Sequence, residues 1–200
     1  PSIGPCIYTI QEDDRQRLWI GSDQGLSLFD LKTERFSMLH AQPLSGMRIN
    51  TPVSHIMIDS RQTMWIATAG QGVFRYHLPT DSLLHYTVPD KINSDYISHL
   101  LEDHSGHIWA TSMRAGLSQY IPSEDTFRQA TEDDGGVQNT LTLFEAARQN
   151  LWVGTSGNGL YLFDRKEKKL IQKLKPVDSS RLLLVRSIVE WRPGELLIAS

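Results

Sequence analysis

Residues 97–120 decide the fold. They read Ile97-Ser98-His99-Leu100-Leu101-Glu102, then Asp103-His104-Ser105-Gly106-His107, then Ile108-Trp109-Ala110-Thr111-Ser112, and after Met113-Arg114-Ala115 the run Gly116-Leu117-Ser118-Gln119-Tyr120. An apolar run meets a turn of Asp, Ser and Gly, a second apolar run surrounds a tryptophan, and a third follows a Gly-containing turn. A more polar stretch, Phe127-Arg128-Gln129-Ala130, closes the unit. Short runs with period-two alternation, separated by turn residues and without helical periodicity, read as four β-strands joined by hairpins.

The unit recurs on both sides. Trp19, Trp65, Trp109 and Trp152 are spaced by 46, 44 and 43 residues, and Leu197 stands in the corresponding place of a fifth copy. Each tryptophan is followed by a glycine and an apolar residue: Gly25-Leu26, Gly72-Val73, Gly116-Leu117 and Gly159-Leu160. Three residues later comes an aromatic, Phe29, Tyr76, Tyr120 or Phe163. Nine residues before each anchor lies an aliphatic: Ile10, Ile56, Leu100, Leu143 and Ile188. Four-stranded repeats of about 40–45 residues are the signature of propeller blades. We therefore expect an all-β fold, a β-propeller segment of four-stranded antiparallel blades with four full repeats and an incomplete fifth. The repeats span approximately 6–51, 52–95, 96–138, 139–183 and 184–200. A lone four-stranded sheet cannot bury both faces, so the tryptophans, second-strand aliphatics and third-strand aromatics are expected between blades. Each large aromatic then stabilises the stack by a few kcal/mol, at about 25 cal/mol per Å². The repeated glycine is expected to supply a positive φ or a close backbone approach.

Composition narrows the function classes. The formal charge is −3, and the densest basic stretch, Arg165-Lys166-Glu167-Lys168-Lys169, is broken by a glutamate. No concentrated basic face suits a nucleic acid. No apolar run approaches the roughly 20 residues of a membrane span, so this segment is expected to make no membrane contact. A single cysteine, Cys6, cannot form an intrachain disulfide. With Pro1 first and no leader pattern, we expect a piece of a longer protein.

The pattern is similar to the two-component regulator propeller repeat. The third repeat matches at Ile97, Leu100, Glu102, Asp103, Gly106, Ile108, Trp109, Gly116, Leu117 and Tyr120. The first matches at Ile7, Ile10, Glu12, Asp13, Leu18 to Ser22, Gly25, Leu26, Phe29 and Asp30. Departures are local: Ala146 replaces the turn acid of the fourth repeat, Ala67 and Ala110 replace the strand glycine, and Leu197 replaces the fifth tryptophan. WD40 and Kelch signatures are missing from their places. The resemblance implies a seven-bladed propeller in the extracytoplasmic, periplasmic portion of an inner-membrane hybrid two-component protein. It further implies a Y_Y_Y-type domain, a membrane helix and a histidine kinase downstream, with the remaining blades, a carbohydrate fragment and a second copy in a homodimer as partners.

No enzyme motif stands out, and no cofactor is expected. His104 and His107 fall in a hairpin turn without a third ligand beside them, which reads as exposed turn chemistry and not a metal site. His55 and His99 share the first-strand position of Thr9, Thr142 and Ser187, a small polar position near the channel or one member of a ligand-contacting ring. Glu12-Asp13 and Glu102-Asp103 recur where a turn starts, as expected of Asp bonding the backbone N–H groups that follow. Glu132-Asp133 pairs two acids, and Asp133-Asp134-Gly135-Gly136 lacks the closing glutamate of a calcium loop. If a ligand binds, one rim collects the turn after each Trp strand and the connections between blades. Asp23, Gln24, Gln71, Arg114 and Asn158 come from the turns, and Arg48, Asn50, Asn93, Tyr96, Asn139 and Arg186 from the connections. Among these, Arg48, Asn50, Asn93, Tyr96, Arg114, Asn139, Asn158 and Arg186 form the candidate ligand-binding set. The leading expectation is a non-catalytic sensor segment, with a lyase-like propeller enzyme and a passive protein-interaction platform as alternatives.

Overall fold

The computed structural model describes residues 4–38, 49–80, 82–131, 137–175 and 183–200. They fall into two compact units, one ending at Ile97 and the other beginning at Ser98.

The first unit holds two four-stranded antiparallel sheets in chain order. These are β1 (Ile7–Glu12), β2 (Arg17–Ser22), β3 (Gly25–Asp30) and β4 (Arg35–Met38), then β5 (Val53–Ile58), β6 (Thr63–Thr68), β7 (Val73–His77) and β8 (Ser82–Tyr86). The second unit holds a third sheet, β9 (Ile97–Glu102, all but its first residue), β10 (Ile108–Ser112), β11 (Gly116–Ile121) and β12 (Thr126–Gln129). A fourth comprises β13 (Thr140–Ala146), β14 (Asn150–Gly157), β15 (Leu160–Asp164) and β16 (Lys169–Leu174). The short β17 (Leu183–Leu184) pairs with β14, and β18 (Ser187–Arg192) and β19 (Glu195–Ala199) make a hairpin. These are propeller blades.

The repeats share their irregularities too. The register between first and second strands slips by one residue at the same place in three blades, between Ile7 and Thr9, Val53 and His55, and Thr140 and Thr142. This is a recurring β-bulge. The first hairpin turn ends on a left-handed residue in all five repeats: Gln16, Gln62, Gly106, Gln149 and Gly194, with φ between 60° and 84°.

The cores lie where adjacent blades meet. In the first unit Trp19 and Leu26 pack with Val53, Ile56, Met64, Ile66, Phe74 and Tyr76, and the Trp19 and Tyr76 rings stand 5.7 Å apart. In the second, Trp109 and Leu117 pack with Leu143, Leu151, Val153 and Phe163, with 5.3 Å between the Trp109 and Phe163 rings. A blade's tryptophan thus meets the third-strand aromatic of the next blade, as the repeat predicts. The first-strand aliphatics show the other side of the same contact. Ile56, Leu143 and Ile188 are buried, whereas Ile10, in the first blade, is 56% exposed. Backbone-directed hydroxyls add to the stacking: Ser54 Oγ donates to the Ile97 carbonyl at 2.6 Å, and Ser98 Oγ to that of Thr140 at 2.7 Å.

Candidate functional site

The rim begins with a hydroxyl. Three residues after each tryptophan, Ser22, Thr68, Ser112 and Thr155 are buried and close the turn that follows. Thr68 Oγ1 donates to the Gly72 carbonyl at 2.8 Å and accepts from Gln71 N at 3.0 Å. Thr155 repeats both bonds with Gly159 and Asn158, at 2.8 and 3.0 Å. Side-chain hydroxyls that bond nearby backbone favour such turns.

The glycines then bring the connections close. Gly72 has φ +68°, and a Cβ there would lie 2.1 Å from the Tyr86 carbonyl oxygen; at Gly159 (φ +87°) it would lie 2.0 Å from that of Leu174. Gly25 and Gly116 repeat the arrangement against Ile49 and Val137, at 2.6 and 2.9 Å. Both reasons expected for glycine, a left-handed φ and a close backbone approach, hold at one position.

In the first unit the turn of the second blade is gripped from two sides. Gln71 Oε1 accepts from Asn50 N at 3.0 Å and from the Thr51 hydroxyl at 3.1 Å. The Gly70 and Gly72 amides donate to the Asp95 carbonyl at 2.8 and 2.9 Å, and Tyr96 forms a β-bridge with Ala69. The structure therefore brings Asn50, Gln71 and Tyr96 around one turn. Asn93 is exposed three residues before Tyr96, a residue that is itself 41% exposed. In the second unit, Asn139 adopts φ +59°. Its N–H donates to the Met113 carbonyl at 2.9 Å and its own carbonyl accepts from Ser156 N at 2.7 Å, tying the third blade's turn to the fourth's. The Asn158 carbonyl accepts from Gln172 Nε2 at 2.7 Å, and Arg186 N donates to the Ala199 carbonyl at 2.9 Å. Arg114, Asn139, Asn158 and Arg186 are all exposed. Arg48, Glu132, Asp133, Asp134, Gly135 and Gly136 lie outside the described residues. Hydrogen-bonding side chains on a fixed backbone can recognise a polar, hydroxyl-bearing ligand. Among the described residues, no three His, Cys, Asp or Glu gather in a group that could hold a metal.

The strongest chemistry lies at the opposite ends of the strands, in the first hairpin turns. Asp13, Asp59 and Asp103 are buried, and each accepts the indole N–H of its own blade's tryptophan at 2.8 Å, Trp19, Trp65 and Trp109 in turn. The same carboxylates accept turn amides, Arg15 and Arg17 for Asp13, Arg61 and Thr63 for Asp59, Ser105 and His107 for Asp103. Asp103 also takes Arg165 Nη1 at 2.8 Å. Burial alone would raise its pKa, but the Trp109 indole, the His107 amide and Arg165 hold it at about 2. Burial opposes the same shift at Asp13, which Arg17 and Trp19 hold below the ordinary carboxylate range. The sequence marks these acids only as turn formers; their fixed distance of six residues before each tryptophan is the signal for the second bond. In the fourth blade Ala146 stands at this position and the Trp152 Nε1 is buried without a partner among the described residues. A pocket of about 220 Å³ opens there, lined by Ala146, Asn150, Trp152, Glu190, Pro193 and Leu196 among others.

His104 and His107 are turn residues as expected. His107 Nδ1 lies 3.2 Å from Asp103, and His104 N donates to Glu145 of the next blade. His55 is partly covered, and burial pushes its pKa down to about 4.

The blades define a β-propeller segment. The family described as Two component regulator propeller matches residues 2–24, the start of the first blade, which is the resemblance the repeats carry. No curated protein matches the sequence. Among solved structures, the fold is similar to the extracellular domain assigned to the hybrid two component system BT3049 of B. thetaiotaomicron, with TM-score 0.79 and 21% identity over 98% of this chain and 28% of that one. It is also similar to the extracellular domain assigned to the one component system BT4673 of the same organism, with TM-score 0.78 and 21% identity over 96% of this chain and 25% of that one. Virginiamycin B lyase from Staphylococcus aureus, in a catalytically inactive form with quinupristin, matches with TM-score 0.64 and 16% identity over 88% of this chain and 57% of that one. This chain thus spans about a quarter of the two extracellular domains. At these identities the likeness is one of fold.

Proposed function

We propose that this chain is part of the extracytoplasmic recognition region of a two-component sensor. It is non-catalytic, binds a carbohydrate fragment along the rim of turns and connections, and passes the signal to a downstream histidine kinase. The observation that carries this reading is that each unit, by itself, gathers exposed polar side chains where its turns and connections meet. Exposed Asn50, Asn93 and Tyr96 in one unit, and Arg114, Asn139, Asn158 and Arg186 in the other, sit on backbone fixed by bonds between turns and connections. Amides, a guanidinium and an aromatic ring suit sugar hydroxyls and the apolar face of a pyranose. The family match and the fold likeness to extracellular domains of signalling systems support the assignment. Binding drives signalling only if the ligand distinguishes two states of the region.

Calorimetry of the complete extracytoplasmic region against a panel of oligosaccharides tests the reading. Heat is expected for at least one member, and Asn50→Ala or Tyr96→Ala should weaken it roughly tenfold, the cost of about 1.4 kcal/mol. Silence across the panel would remove the glycan. Cleavage of any member, sensitive or insensitive to EDTA, would turn the segment into part of an enzyme.

A further inference from the structure

Among the described residues, two of the rim turns are held from the outer strand of their own blade. In the second blade His85 on β8 lies opposite Phe74 on β7. Its ring stacks on the buried Phe74 ring, with centroids 4.0 Å apart and planes 4° from parallel. His85 Nε2 stands 2.5 Å from the Gln71 carbonyl oxygen. A carbonyl oxygen only accepts, so Nε2 carries the proton and donates. In the fourth blade Gln172 on β16 lies opposite Tyr161 on β15, and its Nε2 donates to the Asn158 carbonyl at 2.7 Å. Both bonds span 14 residues and end on the residue before the repeat glycine. The other two blades have a serine in place of the aromatic. In the first, Ser27 lies opposite Met38, a residue type with no side-chain hydrogen to donate. In the third, Ser118 lies opposite Gln129, whose amide reaches the Thr131 hydroxyl at 3.4 Å. Aromatic and donor thus occur together, and a flat ring across the strand pair offers an imidazole or an amide a surface to lie on.

These bonds fix residues of the candidate site. The Thr68 hydroxyl accepts Gln71 N at 3.0 Å, so with His85 on its carbonyl both backbone groups of Gln71 are held. Gln71 Oε1 in turn takes Asn50 N and the Thr51 hydroxyl at 3.0 and 3.1 Å. Asn158 is held in the same way, its N–H by Thr155 Oγ1 at 3.0 Å and its carbonyl by Gln172. We propose that His85 and Gln172 are positioning residues of the ligand rim, His85 acting through Gln71 on Asn50 and Gln172 acting on Asn158. Neither needs to touch the ligand. The inference deepens the glycan reading and rests on it. A site whose hydroxyl-binding groups are already in place loses less ordering entropy on binding, so removing a clamp should weaken affinity without removing a contact to the sugar.

The test uses the complete extracytoplasmic region with two readouts. One is amide hydrogen exchange of the free protein, which reports local opening. The other is calorimetry against a panel of malto-, xylo-, manno- and galacto-oligosaccharides. His85→Leu keeps an apolar cover on Phe74 and loses the donor. The Gln71 and Asn50 amides should then exchange about fivefold faster or more, and the affinity for a panel member that binds should fall several-fold. His85→Gln, which installs the donor the fourth blade uses, should restore both. Gln172→Leu should speed exchange at Asn158 in the same way, and it carries the test by itself should His85→Leu fail to fold. The Gln24 amide, held by the Ser22 hydroxyl at 3.2 Å, is the control and should keep its rate; its acceleration would mark general softening and overturn the assignment. Unchanged exchange at Asn50 and Asn158 would overturn the clamp. Faster exchange with unchanged affinity would overturn its role in binding, and a glutamine at position 85 that restores neither would leave His85 as packing alone. Silence of the whole panel toward the natural protein would overturn the glycan reading, while exchange still decides the clamp.

Discussion

The hairpin turns of the third and fourth blades share a strand frame and differ at their centre. In one, Asp103 gathers the Trp109 indole, two amides and Arg165 around a fully buried carboxylate. In the other, Ala146 leaves Trp152 packed against the cluster of Leu160, Val185 and Ile188, with its nitrogen unpaired among the described residues. The contrast separates the two uses of the repeat's tryptophan. Its area glues one blade to the next whether or not the acid is present, and its N–H secures the turn only where the acid remains. Apolar burial tolerates the loss of a polar partner.

The largest effect should come from making the third blade like the fourth. Asp103→Ala strands the indole, two amides and a half-exposed Arg165, and we expect a loss of about 2–4 kcal/mol in chemical denaturation of the intact protein. A loss below about 0.5 kcal/mol would mean that water replaces the carboxylate without cost.

Acid should reach the same difference by titration. The folded pKa of Asp103, about 2, lies below its unfolded value near 3.8. Its contribution is then complete above pH 4 and is lost as the pH falls toward 2, about 2 kcal/mol in all. His55 acts in a higher window. Its folded pKa of about 4 lies below the ordinary 6.5, so the unfolded chain takes up its proton first and stability declines as pH falls from 6.5 to 4. Stability measured against pH should show both declines, with Asp103→Ala shrinking the lower and His55→Thr removing the upper.

The smallest effect tests the turn alone. Gln149 holds φ +62°, where the third blade has Gly106 at +78°. Gln149→Gly should relieve left-handed strain and gain up to about 1 kcal/mol, offset in part by the entropy of the unfolded glycine. A loss would show that the glutamine side chain itself contributes to the turn.

Much of this was legible in the sequence. Trp19, Trp65, Trp109 and Trp152 announce the blades because large rings at a fixed interval have only stacked sheets to bury them. Gly25, Gly72, Gly116 and Gly159 announce a special backbone, since nothing else fits where a neighbouring carbonyl comes within about 2–3 Å of a Cβ. The partner of each acid was hidden because a turn aspartate satisfies local amides in any hairpin, and only coordinates show its second oxygen turned to the indole. Ser54 and Ser98 were equally silent: a hydroxyl aimed at the next repeat's backbone has no local signature. Topology puts the turns after the Trp strands at one end of each sheet, and the concavities beside Trp152 and Glu145 lie at the other. A departure such as Ala146 reads in sequence as noise until its neighbours are seen.

The most direct test is a pair of double-mutant cycles read by denaturant unfolding. Asp103→Ala with Trp109→Phe should give a coupling of about 1–2 kcal/mol. Ala146→Asp with Trp152→Phe should create a coupling of the same sign where the natural chain has none. Independence of residues 103 and 109 would contradict the clasp, and a fourth blade indifferent to the restored acid would contradict its loss.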